Sequence, residues 1–153
     1  MSDLLLPTLS RKCDVDCIIR DTLDKVLVLR FGRSADPLCL HFDEILSKTS
    51  REVSKFATIA LVDVDSEEIQ VYIKYFDITL IPSTVFFFNA HHMKMDSGTA
   101  DHTKWVGSFH SKQDLIDVVE VSTMLCTWMV LFLNKIYYIQ FHPLNSLSLD
   151  DAT

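Results

Sequence analysis

The stretch VLVLRFGRSADPLC, Val26 to Cys39, decides the fold. Val26 to Phe31 is an apolar run broken only by Arg30, the pattern of a strand buried on both faces. A short polar loop follows. Asp36 is a good helix N-cap and Pro37 suits the first helical position. Leu38, Phe42, Ile45 and Leu46 then recur on one face of a helix. The first turn of that helix carries a single thiol, Cys39, three residues after a carboxylate.

Outward from this unit, the chain alternates helices and strands. Asp14 to Thr22 reads as a short helix and Thr58 to Asp65 as a second buried strand. Glu67 to Phe76 is a helix with acids in its first turn, where the helix dipole favours them. Val85 to Phe88 is a third strand, and His92 to Asp96 alternates as a fourth, with Gly98 ending or bulging it. A last helix opens at Ser111, with Asp114 at capping-box spacing and Leu115, Ile116, Val118 and Val119 as its buried stripe. Strands joined by helices pair in parallel, and the closely spaced last two form an antiparallel hairpin. The expectation is an α/β fold: a central mixed sheet of four to five strands with helices on both faces.

A chain of 153 residues has room for one domain and a tail, placed here at 1–121 and 122–153. Apolar residues make up 48 % and charged residues 23 %, enough to build a core without metal or disulfide staples. Fourteen basic against 21 acidic residues give a net charge of −7, which argues against a broad basic face for nucleic acid. A protein partner is the better expectation. The three leucines before Pro7 have no basic flank and no small-residue cleavage site, so a secretory signal is not expected. The four cysteines, Cys13, Cys17, Cys39 and Cys126, are then expected as free thiols in a reducing compartment. Cys13 and Cys17 share a helical face, yet neighbouring turns present their Cβ vectors poorly for a disulfide. No CxxC occurs, and the six histidines are dispersed except His91–His92, so neither a metal site nor a cofactor is expected.

Ile81–Pro82 directly before the third strand, together with this element order, resembles the thioredoxin fold. In that fold the loop after the first long strand carries Cys-Gly-Pro-Cys and a cis proline faces it. On that pattern Asp36, Pro37, Leu38 and Cys39 form a degenerate motif, with Asp36 in place of the attacking cysteine and Cys39 in place of the resolving one. Pro82 matches the cis proline, and the carboxylate that thioredoxins keep in the first strand falls on Arg30. The strings VLVLRFGRSADPLC, LSKTS, LVDVD, YFDITLIPSTVFFFN, HMKMDSGTADHTKWVGSF and KQDLIDVVEV resemble the thioredoxin-like 4, or Dim-type, proteins over about Leu4 to Val121. That resemblance implies a nuclear pre-mRNA splicing protein tied to cell-cycle progression, meeting spliceosomal tri-snRNP proteins through protein–protein contacts. It implies no working thioredoxin enzyme; the charge balance argues against direct nucleic-acid contact, and the length of the apolar run after Ser122 argues against a membrane anchor, with a membrane-tethered variant as the third reading. Some relatives carry a second cysteine beside the cis proline; here that position is Ser83.

The residues point the same way. Disulfide exchange needs a thiolate attacker and a second thiol to release the mixed disulfide. Asp36 can do neither job and is explained as the cap that accepts the Cys39 N–H. A single-cysteine thiol oxidoreductase using Cys39 is the alternative. Arg30 must pair if buried, with Asp63 or Asp65 as the expected acid; a sharper reading makes it an anchor beneath the loop, shared with Arg33. Phe86 to Phe88 face both sides of a central strand and read mainly as core, with Phe87 the one that could serve a partner groove. Trp105 and Phe109, placed in a loop before the last helix, are the better candidate partner contacts, with Arg33; packing of the two rings under that loop is the equal alternative.

From Ser122 the chain departs from the family, whose members continue with a basic, glycine-containing segment. The apolar run Met124 to Leu133 is too short to span a bilayer and Asn134–Lys135 interrupts it. It is expected to extend the last helix, to pack on the sheet edge, or to remain an apolar tail. A translated intron is another reading, because Val-Ser is what a splice-donor sequence encodes when read through in frame. Self-association into a homodimer is left open by the sequence.

Overall fold

The structure is a computed structural model that describes residues 5–95, 100–132 and 142–143. Its elements in chain order are β1 (Thr8–Leu9), α1 (Lys12–Asp21), β2 (Val26–Gly32), α2 (Pro37–Val53), β3 (Ala57–Asp63), a 3-10 turn (Glu67–Ile69), α3 (Gln70–Tyr75), β4 (Ser83–Phe88), β5 (His91–Met93), β6 (Trp105–Val106), α4 (Lys112–Phe132) and β7 (His142–Pro143). The sheet order is β1-β3-β2-β4-β5-β7, with β6 also beside β4. β2 lies near the centre, parallel to β3 and antiparallel to β4, with Val28 opposite Ile59 on one side and Phe86 on the other. All seven of its residues are buried. That is why its sequence reads as an unbroken apolar run.

Side chains alternate across the pleat, so β2 feeds two cores. Val26 and Val28 pack with Phe42, Leu46, Phe86, Leu115 and Val119 beneath α2 and α4. Leu27, Leu29 and Phe31 pack with Val15, Ile19, Tyr72 and Phe87 beneath α1 and α3. The phenylalanines of β4 divide in the same way, and Phe87 is 1 % exposed. Its expected role in a partner groove is therefore corrected: it belongs to the core under α3, where Phe76 meets it edge-on at 6.1 Å.

The sheet has seven strands where four to five were expected. The additional ones, β1, β6 and β7, are two residues each, too short to leave an alternating pattern. The helix expected over Glu67–Phe76 divides into a 3-10 turn and α3. There the Gln70 side chain donates to the Val64 and Ser66 carbonyls at 2.8 and 3.0 Å. β5 ends at Met93, while Asp96 and Gly98 lie outside the described residues. Asn89 and Ala90 join β4 to β5 with φ of 49° and 66°. This is the two-residue hairpin connection whose twist suits the flanking strands. Asn tolerates that backbone; Ala pays for its Cβ there.

α4 opens where expected, with the Asp114 N–H donating to Ser111 Oγ at 3.2 Å and Ser111 Oγ–H donating back to the Asp114 carboxylate at 2.9 Å. It does not stop at Val121. Ser122 and Cys126 extend the stripe of Leu115 and Val119, both are buried, and the Cys126 thiol meets Met93 Sδ at 3.8 Å. The domain edge placed at Val121 therefore falls inside a helix that continues packing. Burial pushes the Cys126 thiol up to about 12. The opposite face carries Val121, Met124, Leu125 and Trp128, all exposed. No described helix is long and apolar enough to cross a membrane.

Two predictions follow from this geometry. Cys126→Asp should cost about 3 kcal/mol of stability in urea unfolding, whereas Met124→Asp on the exposed face should cost under about 0.5 kcal/mol. Equal costs would show that α4 does not pack past Val121. Ala90→Gly should stabilise by about 0.5–1 kcal/mol by relieving the positive φ; a loss of stability would contradict the hairpin geometry.

Candidate functional site

The β2–α2 loop and the segment before β4 lie at one end of adjacent strands, because Phe31 pairs with Ser83. The Ile81–Pro82 bond preceding that pair is cis. The Pro82 carbonyl accepts the Gly107 N–H at 2.8 Å, and Ser83 Oγ donates to the Leu80 carbonyl at 2.5 Å. Topology thus brings Asp36 and Pro82 to the same end of the sheet.

Asp36 caps α2. Its Oδ1 accepts the Cys39 N–H at 3.0 Å, its own N–H donates to the Arg33 carbonyl at 3.2 Å, and Pro37 occupies the first turn. The Cys39 N–H holds the Asp36 carboxyl below the usual carboxylate range, so it stays a carboxylate at neutral pH. Leu38 stands 61 % exposed beside it, and Cys39 turns inward with 0 % exposure. Burial pushes the Cys39 thiol above its ordinary value; Asp36 adds to this, while a backbone hydrogen bond at Arg33 and the Arg30 charge oppose it. The thiol is covered and protonated, the reverse of what nucleophilic sulfur needs.

Beneath the loop, Arg30 Nε donates to Asp43 Oδ1 at 2.7 Å and Nη2 donates to Oδ2 at 2.5 Å. The two side chains are 3 % and 17 % exposed. This corrects the expected partner. Arg30 shares the pleat face of Val28, which packs under α2, so its guanidinium meets the helix rather than Asp63 or Asp65. Asp65 instead takes Arg33 Nε at 2.9 Å in a half-exposed pair. Arg33 is thus a surface residue and no part of the anchor under the loop. Asp43 went unnoticed in the sequence, although it sits between the inward-facing Phe42 and Leu46. An arginine in an apolar strand is the sequence signal for an acid on the inward face of the helix packed over it. Gly32 completes the arrangement: a Cβ at this position would come within 2.5 Å of Arg30 Nη1 and 2.7 Å of Cys39 Sγ.

The aromatic candidates separate. Phe109 is 3 % exposed and packs on Phe42 at 5.6 Å, so as a partner contact it is corrected to core. Trp105 lies in β6, half-buried, stacked on Phe109 at 4.4 Å. It lines a cleft of about 370 Å³ with Met93, Met95, Val118 and Leu125. Close by, Lys104 is buried and pairs with Asp101, whose carboxyl is held down to about 2 by Lys104 and Thr103. Among the described residues no group of three or more His, Cys, Asp or Glu side chains could hold a metal.

Comparison with known proteins agrees with this geometry. Two solved structures share the architecture at low identity: mitochondrial thioredoxin 3 of Saccharomyces cerevisiae, with a TM-score of 0.58, 17 % identity and coverage of 75 % of this chain and 93 % of that one; and the thioredoxin of Fasciola hepatica, with a TM-score of 0.58, 17 % identity and coverage of 75 % and 97 %. They show the thioredoxin fold. The chain is 62 % identical over 117 residues to thioredoxin-like protein 4B of Homo sapiens, covering 76 % of this chain and 77 % of that protein. It is 34 % identical over 120 residues to the spliceosomal protein DIB1 of Saccharomyces cerevisiae, covering 78 % and 82 %. The family model described as mitosis protein DIM1 matches residues 5–126, past the point where the sequence was read as diverging. With a thioredoxin fold, a carboxylate cap in the nucleophile's place and these relatives, the chain belongs to the DIM1 family.

Proposed function

We propose that this chain is a non-catalytic adaptor in nuclear pre-mRNA splicing that binds tri-snRNP proteins and bears on cell-cycle progression. The names of its relatives, spliceosomal protein DIB1 and the mitosis protein dim1 of Schizosaccharomyces pombe, support the process. The observation that carries the non-catalytic part is the site itself. Asp36 is engaged as a helix cap, and the one thiol nearby is buried and pushed away from the thiolate. Exchange chemistry requires an accessible thiolate and a resolving partner.

In this reading the fold serves as a rigid shape. The exposed rim of Arg33, Leu38 and Leu80 near the loop, and Trp105 at the α4 cleft, are the surfaces we assign to partners. Aromatic and arginine side chains concentrate binding energy when a partner covers them. The buried Arg30–Asp43 pair holds α2 against β2 and so keeps the loop in position.

Purified protein should fail to reduce insulin, and Cys39→Ser should capture tri-snRNP proteins from nuclear extract as well as wild type does. Arg33→Glu combined with Trp105→Ala should weaken that capture about tenfold or more. Reductase activity that vanishes with Cys39→Ser would defeat the adaptor reading and establish the thiol enzyme. Separately, Asp43→Asn should destabilise by about 3–5 kcal/mol because it strands a buried guanidinium, while Arg30→Met with Asp43→Leu should restore most of that loss. If the double variant is no better than the single one, the pair does more than fill and neutralise its site.

A further inference from the structure

The four cysteines fall into two classes. Cys39 and Cys126 are buried, at 0 % and 1 % exposure. Cys13 and Cys17 are exposed, both on the outer face of α1. The inner face of that helix is fixed by Val15 and Ile19 in the core. Two further ties hold it: the Lys12 N–H donates to Glu68 at 3.0 Å, and Tyr72 Oη–H donates to Asp16. The thiols therefore stand on a clamped scaffold, four residues apart.

That spacing selects the chemistry. Side chains at i and i+4 have Cβ atoms about 5–6 Å apart, whereas a disulfide needs them at about 3.5–4.5 Å. A direct S–S bond is too short to span the gap while the helix stays wound. A bridge of one larger atom, S–X–S, lengthens the link and fits. Ligand number narrows X further. Structural zinc takes four ligands, and no third His, Cys, Asp or Glu completes a cluster among the described residues. The site thus suits a thiophilic centre that is satisfied by two sulfurs. Among the described residues each thiol has only one long contact: Cys13 Sγ donates to Asp14 Oδ1 at 3.9 Å, a carboxylate already held by Arg11 Nε and Nη2 at 2.9 Å, and Cys17 Sγ accepts from Arg20 Nη2 at 3.5 Å.

We propose that Cys13 and Cys17 form a two-sulfur chelate site for trivalent organoarsenicals and chemically similar soft centres on the surface of α1. The step balances without an oxidant. An organoarsenic(III) oxide, R–As=O, condenses with both thiols; two As–S bonds form, the As=O bond and both S–H bonds break, and one water leaves with the two protons. Arsenic and sulfur keep their oxidation states. The inference is independent of the splicing role, since neither thiol belongs to the loop, the Arg30–Asp43 pair or the surfaces assigned to partners.

The test uses the full chain, reduced and folded, with phenylarsine oxide as the probe. Intact mass should show one adduct formed with loss of one water. Titration with an aromatic disulfide reagent under native conditions should find the accessible thiols gone and the two buried ones still unreactive. Cys13→Ser and Cys17→Ser should each weaken retention of the adduct against a competing monothiol about a hundredfold or more, since the second As–S bond is the one made at high effective concentration. Far-UV circular dichroism checks that both variants keep the fold, as expected for exposed positions. Full retention in either variant, or an adduct carried by Cys39 or Cys126, overturns the proposal. So does a Cys13–Cys17 disulfide formed under mild oxidation with α1 intact, because the spacing argument excludes it.

Discussion

The buried ion pair between Arg30 and Asp43 is the constraint on which the rest of this site depends. Both hydrogen bonds are short and the arginine is nearly inaccessible. Taking two charges out of water costs several kcal/mol per ion, which is offset only when the geometry is bidentate and the remaining donors are accommodated. Meeting that condition ties the centre of the sheet to the first turns of α2. It also explains the neighbours: Gly32 leaves room for the guanidinium and for Cys39 Sγ, and the thiol packs into the space that remains.

From that constraint the arrangement of the loop follows. The thioredoxin resemblance places a carboxylate where Arg30 stands and a nucleophilic thiol where Asp36 stands. Here the lower position carries a cation, Arg30, and the upper one a carboxylate, Asp36. The carboxylate is consumed as a helix cap, and the sulfur below it is raised from its ordinary ionisation by burial. What is left is a corner carrying the exposed Leu38 and the half-exposed Arg33–Asp65 ion pair. The accessible sulfur lies instead on α1, where two exposed thiols share a face and neither core nor loop depends on them.

Beside α2, on the same face of the sheet, α4 shows a different logic. α4 keeps its inward stripe through Cys126, so the residues after Val121 are held by the same packing that holds Leu115 and Val119. Its outward stripe of Val121, Met124, Leu125 and Trp128 is exposed, and Val121 and Leu125 also line the Trp105 cleft. The same helix therefore serves stability with one face and offers contact area with the other.

Much of this was legible in the residues. The run Val26 to Phe31, the Asp36–Pro37 start of α2 and the Ser111 start of α4 carry local signals: burial on both faces of a strand, a capping oxygen, a ring that presets φ. Those determine where elements begin and which layer they join, and the resemblance in the loop strings supplied the fold. Other features depend on distance through space. The partner of Arg30 was misassigned because a strand's neighbours in sequence give no register against a helix thirteen residues on. The sequence leaves Phe109 open between surface and core because its cover, Phe42 and Trp105, comes from two other elements. The two-residue strands are made by pairing alone, and of the alternatives open after Ser122 the structure takes extension of the last helix, with Met93 lying across from Cys126. Sequence thus determined the local conformations and the lost nucleophile; only tertiary packing decided which charges met and which aromatic rings stayed in water, since burial is a property of neighbours rather than of the residue itself.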